Sequence, residues 1–204
     1  MQAAGVCNNA RRSERLALVE WATERRRILG TQFIEQFRRV AEGAEHAVYH
    51  DESRGLAMKA THPNRFGHSA RNEGLAATPL EYLQRLGWHN ALFGDDIRIA
   101  GITFVEDNIE VITSQPWIVS DGKQPASQEE IDGYFEQLRF RRVEINPGVP
   151  IYFNGRMNVI VADAHERNIL RTEDGRLAPI DVVIGIPDPD LLERIHRIIA
   201  CQIP

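Results

Sequence analysis

The chain holds little cysteine: two residues in 204, Cys7 and Cys201, near opposite ends. Neither a disulfide framework nor a thiolate metal site can be built from that spacing, and a reducing compartment fits it. Long apolar runs are also missing. No stretch approaches the roughly 20 apolar residues a membrane helix needs, and the N-terminal Met-Gln-Ala-Ala-Gly-Val-Cys is too short in apolar residues for a signal peptide. The expectation is a cytoplasmic protein with no membrane partner. There is no basic excess either: net charge is −5, so a nucleic-acid partner is not expected. Arg11, Arg12, Arg15, Arg25, Arg26 and Arg27 cluster early, but acids interleave with them as on a solvated helix face. Internal repeats and low-complexity tracts are absent. Hydrophobic residues make up 43% of the chain and charged residues 26%, which suffices for a core.

The pattern predicts two N-terminal helices. The first covers 11–29, with Leu16, Val19 and Ile28 near one face and Leu18, Trp21 and Leu29 beside it. Gly30 would stop it, and Thr31 would cap a second helix over 32–41 with Phe33, Ile34, Phe37 and Val40 as its apolar stripe. From Gly43 the period changes. Residues 47–50 and 56–60 read as a hairpin around a polar turn, and 61–77 as irregular. Thr78, Pro79 and Glu81 form a capping box that opens a helix, with Tyr82, Leu83 and Leu86 on its buried side. Strands follow near 97–105 and 109–113. Ser127 to Glu130 is a second capping box, opening a helix to about Leu138. A looser segment then leads to a strand at 159–161. The last strands flank Asp174-Gly175 and end over Ile180 to Val183, and a helix over 189–200 follows.

The chemistry sits in Val161-Ala162-Asp163-Ala164-His165-Glu166-Arg167-Asn168 and in Ile180-Asp181. Phosphoryl transfer from ATP needs one carboxylate to orient an attacking hydroxyl and receive its proton. It needs a second carboxylate and an amide oxygen to hold magnesium against the phosphates. Asp163 with Asn168 five later has the Asp-x-x-x-x-Asn spacing of kinase catalytic loops, and Asp181 after the next hairpin stands where a second metal-binding carboxylate belongs. Taken singly, Asp163 is a turn residue and Asp174-Gly175 a hairpin; the ordered set is what points to a metal site. His165 reads as a hydrogen-bonding residue that shapes the loop.

Upstream, Lys59 lies on the second strand of the early hairpin, between Met58 and Ala60, where its ammonium could hold phosphates. An exposed strand lysine is common, but apolar Leu56 and Met58 beside it favour the anchoring role. Gly43 to Val48 would cover the phosphates with a single glycine, Val48 roofing the adenine. Either Glu81 or Glu73 could hold Lys59, although a capping role already accounts for Glu81. Gln115 and Trp117 follow the last strand of this half, where backbone groups could meet the adenine edge; plain core packing is the competing role for Trp117.

These residues make the stretch from about Trp21 to Ile184 resemble the serine/threonine/tyrosine kinase-like domain found in bacterial polyvalent proteins, carried by phages and mobile elements. The matching pieces are Gly43 to Tyr49, Met58 to Thr61, Thr78 to Leu83, Leu92 to Asp96, Thr113 to Pro116, Val161 to His165 with Asn168, and Pro179 to Asp181. The Asp-x-His-x-x-Asn form is also similar to that of small-molecule phosphotransferases. The resemblance implies an α+β, protein-kinase-like two-lobed fold with a reduced C-terminal lobe and extra N-terminal helices. Its parts would be a helical extension over 1–42, an N-lobe over 43–114 and a C-lobe over 115–204. It implies ATP and Mg²⁺ as cofactors and a protein or small-molecule acceptor. Val161-Ala162 stands in place of the usual His-Arg, and Val182-Val183 in place of Phe-Gly. Only 23 residues follow Asp181, too few for a full activation segment and a large helical second lobe, so the competing expectation is a nucleotide-binding pseudokinase or a scaffold that transfers nothing.

Overall fold

A computed structural model of the chain describes residues 2–71, 75–120, 122, 124–146 and 149–202. Helices and antiparallel sheets coexist, an α+β architecture. The chain forms two units: Met1–Gly67 with Ala76–Trp117, and His68–Leu75 with Ile118–Pro204. No helix among the described residues is long and apolar enough to cross a membrane.

The first unit begins with α1 (Gln2–Glu24). Leu18 and Ala22 of α1 are buried against Tyr82, Ile102, Ile109 and Val111. Leu16, expected near the buried face, is 63% exposed. The helix stops at Glu24, short of the expected 29, because Arg26 turns left-handed with φ 53°. The next residues then run along a strand instead: Leu29 donates its N–H to the Ile102 carbonyl at 2.8 Å and Ile102 donates back to Arg27 at 2.9 Å.

The helix expected over 32–41 does not form. A single 3₁₀ turn, Thr31–Phe33, is followed by strand β1 (Arg38–Glu42). The apolar spacing that suggests a helix has another use. Ile34 is buried, and Phe33 and Phe37 pack with it against Met58, Ala60 and Ile112 under the sheet. No side chain caps the 3₁₀ turn. β1 instead satisfies its backbone against β2 (His46–Asp51), opposite which β3 (Leu56–Thr61) returns as expected.

Helix α2 (Pro79–Phe93) starts on the Thr78–Glu81 capping box and ends at Gly94, which adopts the left-handed φ of 67° that a helix terminus favours. β4 (Arg98–Val105) and β5 (Asn108–Pro116) complete a five-stranded antiparallel sheet in the order β1-β2-β3-β5-β4. Directly paired residues share a sheet face. Val48, Lys59 and Thr113 therefore line up on one face, and Tyr49, Met58 and Ser114 on the other.

The second unit opens with α3 (Gln128–Gln137), whose Ser127–Glu130 capping box is formed in full. The segment expected to be loose is a hairpin, β6 (Arg141–Asn146) with β7 (Val149–Asn154). Pro147, Gly148 and Pro150 suggest irregular chain, yet Val143, Ile151 and Phe153 are buried, and that burial drives the pairing. β8 (Val159–Ala162), β9 (Ile169–Arg171), β10 (Leu177–Pro179) and β11 (Val183–Gly185) follow, then α4 (Pro189–Cys201), capped by Asp188. The sheet order is β11-β8-β7-β6, with β9 and β10 as a separate ribbon. Leu191 and Ile195 of α4 pack with Val143, Ile151, Phe153 and Ile160. Asp181 is not at a strand end, as expected, but in a bend between β10 and β11.

Candidate functional site

In the second unit, β8 is a buried run, Val159-Ile160-Val161, that delivers Asp163 to the surface at its end. Asp163 takes a left-handed φ of 57°, a conformation Asp and Asn adopt more readily than bulkier residues. That turns the chain, and Ala164 tucks into the interior at 5% exposure. One tight turn follows: Asn168 and Ile169 donate their N–H groups to the His165 carbonyl at 2.8 and 3.0 Å.

Three side chains close over this turn. Asn168 Nδ2 donates to the Asp163 carbonyl at 2.8 Å and to Asp163 Oδ2 at 3.0 Å. His165 Nδ1 accepts the Arg167 backbone N–H at 3.2 Å. In the neutral ring that leaves the proton on Nε2, which lies 3.3 Å from Asp163 Oδ1. Asp163 thus has one oxygen facing an amide and the other facing an imidazole, and its side chain stays 55% exposed. The amide nitrogen of Asn168 is committed to Asp163, so Oδ1 is the atom it can offer a cation.

Asp181 reaches the same end of the sheet by register. β11 pairs antiparallel with β8, Val183 opposite Ala162, so the residues just before Val183 run beside those just after Ala162. The Ile180 N–H donates to the Asn168 carbonyl at 2.8 Å. Asp163, Asn168 and Asp181 are therefore gathered by three backbone features: β8, the tight turn and the bend after β10. The intervening hairpin turns at Gly175, with φ 82°, and Thr172 and Arg176 bind Asp174 there. Hydrogen bonds from Thr172, with help from Arg176, hold the Asp174 carboxyl below its usual range.

In the first unit, Lys59 is half-buried on β3 between Val48 and Thr113. His46, on the same face of β2 as Val48, meets Tyr82 of α2, so Lys59 projects from the face that α2 covers. Gly43 begins the turn between β1 and β2, donating its N–H to the His46 carbonyl at 2.8 Å. Glu81 Oε2 accepts the Thr78 N–H at 3.0 Å in its capping box; Glu73 lies outside the described residues. Gln115 is buried, and its amide nitrogen donates to Asp95. The Trp117 N–H is given to the Gly55 carbonyl at 2.8 Å, and its ring stacks on His50 with centroids 4.0 Å apart.

The polar residues that sequence reasoning passed over lie on α2. Tyr82 is buried as expected, but Arg85 and His89 are buried with it, while Leu83 and Leu86 are only partly buried. Tyr82, Arg85 and His89 each have a partner on the sheet side. Tyr82 Oη lies 3.1 Å from His46 Nε2, Arg85 Nη1 donates to Glu45 Oε2 at 3.1 Å, and His89 Nδ1 is 3.2 Å from Asp95 Oδ2. Burial raises the Asp95 pKa, but bonds from His89, the Asp96 N–H and Gln115 outweigh it, and the carboxyl is held below its usual range. The signal was present in the sequence as polar residues at helical spacing after a capping box.

No curated protein gives a significant match to the chain. Residues 11–188 match the family described as the serine/threonine/tyrosine kinase found in polyvalent proteins, a span that includes every residue of both constellations. The match covers most of the chain, and the chain belongs to that kinase family.

Proposed function

We propose that this kinase-family chain is an ATP- and Mg²⁺-dependent phosphotransferase acting on a protein or small-molecule acceptor. The observation that carries the reading is the convergence of Asp163, Asn168 and Asp181 at one end of the β8–β11 ladder. An amide oxygen and a carboxylate are hard donors of the kind magnesium accepts, so Asn168 Oδ1 and Asp181 fit that ion. Bound there, magnesium would neutralise charge on the phosphate oxygens.

The remaining steps belong to the chain's own residues. Asp163 accepts the proton of the acceptor hydroxyl as the oxygen–phosphorus bond forms. The bond between the γ-phosphorus and the bridging oxygen breaks, and ADP leaves with that oxygen's electron pair. His165 and Asn168 keep the Asp163 carboxylate oriented. Lys59 holds the phosphates, with Gly43 and Val48 on the covering side and Gln115 and Trp117 beside the base. In this reading the first unit is the nucleotide-anchoring lobe and the second the catalytic lobe of a protein-kinase-like fold.

The test is a thermal-shift titration with ATP, with and without magnesium, followed by transfer of labelled γ-phosphate. Magnesium-dependent stabilisation by ATP is expected, together with transfer that Asp163→Ala abolishes. Stabilisation without transfer, equal in wild type and Asp163→Ala, would instead identify a nucleotide-binding protein with no catalytic step. No response to ATP at all would remove the nucleotide site.

A further inference from the structure

The turn between β1 and β2 is held by a buried ion pair. Glu45 sits in that turn with its side chain 13% exposed, and Arg85, 7% exposed, reaches it from the middle of α2 with both terminal nitrogens. Arg85 also lies over the Tyr82 ring, 5.1 Å from its centroid. His46 Nε2 lies 3.3 Å from the same carboxylate. Gly67 closes on the other side: a Cβ there would meet Glu45 Oε2 at 1.8 Å and displace the carboxylate, and its φ of +76° favours glycine.

Burying two charges costs about as much as their attraction returns, and replacing such a pair with neutral residues is often harmless to stability. Stability alone therefore does not account for Glu45 and Arg85. What the pair does is locate the turn. Glu42 and Ala47 form the last rung of the β1–β2 ladder, and Gly43 closes on His46. The His62 N–H donates to the Glu45 carbonyl at 3.0 Å, and His62 Nε2 is 2.9 Å from the Gly43 carbonyl. His62 follows directly on β3, the strand of Lys59. One carboxylate thus ties the turn to α2, while the turn's backbone is tied to the strand of Lys59.

We propose that Arg85, acting through Glu45, is a positioning residue for the phosphate-covering turn at 43–46, holding it in register with Lys59 before nucleotide arrives. The role rests on the ATP-site reading above. In that arrangement α2 controls the cover rather than the reacting groups, so loss of the pair weakens uptake of ATP and spares the chemical step.

The experiment compares wild type, Glu45→Gln and the neutral double variant Glu45→Gln with Arg85→Met. Amide exchange at Gly43 and His62 reads the turn without nucleotide, and steady-state kinetics read its consequence. The double variant should melt close to wild type. Both amides should exchange faster, and the KM for ATP should rise about tenfold at unchanged kcat, the signature of lost ground-state binding. Protection at Gly43 and His62 together with a KM within about twofold of wild type overturns the role. Should Glu45→Gln fail to fold, the double variant alone decides. A wild type that takes up no ATP overturns this role together with the site reading, and is told apart because binding is then absent without any substitution.

Discussion

Ile180 donates its backbone N–H to the carbonyl of Asn168 at 2.8 Å. The neighbour of one proposed magnesium ligand is thereby hydrogen-bonded to the other, although the two are separated by the whole β9–β10 hairpin. Movement of either backbone moves the pair, so the two donors should respond to magnesium together.

Asn168→Asp tests that. The substitution places a second carboxylate about where Nδ2 now donates to Asp163 Oδ2 at 3.0 Å. Like charges at that range repel, and one carboxyl pKa rises. The variant should melt below wild type at pH 7 without metal and recover when magnesium is added. Wild type should show the smaller metal response. A melting point unaffected by magnesium in both proteins would argue against a cation at this turn.

Asp163 separates backbone from chemistry. Its φ of 57° suits Asp, Asn or Gly and opposes β-branched residues. Asp163→Asn should keep the melting point and ATP uptake while losing about 10²–10⁴-fold in transfer rate, the range for removing a general base. Asp163→Val should in addition lose about 1–3 kcal/mol of stability from the strained backbone. Denaturant unfolding and a transfer assay read the two effects independently.

Gly101 should be intolerant of any side chain. A Cβ there would meet the Arg27 carbonyl oxygen at 2.3 Å, which is backbone and cannot swing aside. Gly101→Ala should unhook Arg27 to Leu29 from β4 and accelerate amide exchange at Leu29 and Ile102, the donors of two backbone bonds that join these segments. Loss of stability without faster exchange there would place the damage elsewhere.

Glu130 gives a pH signature. Its carboxylate accepts the Ser127 N–H at 2.8 Å and two bonds from Arg171 Nη2, at 2.8 and 2.7 Å. The Ser127 backbone bond first, then Arg171, lower its pKa from 4.5 to about 2. A depressed acid stabilises the fold above its unfolded pKa and loses that contribution as pH falls through the folded value. Stability should therefore decline between about pH 4.5 and 2, and Glu130→Gln should flatten that part of the profile. Melting curves across that range for the two proteins check it.

Much of this arrangement was legible because the signals are local. The capping boxes at Thr78 and Ser127 announce α2 and α3, and Asp163 with Asn168 announces a turn whose hydrogen bonds span five residues. The misreadings come where tertiary packing uses a local pattern differently. Phe33, Ile34 and Phe37 have helical spacing but serve as a lid under the sheet, leaving Arg38–Glu42 to become an edge strand. β6 and β7 were hidden behind Asn146, Pro147, Gly148 and Pro150, whose turn chemistry outweighs the alternation around them. The Glu45–Arg85 pair was out of reach, because nothing near Glu45 in sequence states that a residue forty positions on will face it.

The eight residues His68–Leu75, which belong with the second unit although they lie between β3 and α2, have an evolutionary consequence. Asp188 donates its N–H to the Arg71 carbonyl at 3.1 Å, and Ala70 packs against the core cluster that includes Ile160 and Leu191. A recombination crossover at residue 117 would hand on a second unit stripped of that segment, without the Arg71 acceptor of the Asp188 N–H and without Ala70 in its core. A single junction there does not cut the chain along the boundary between its units.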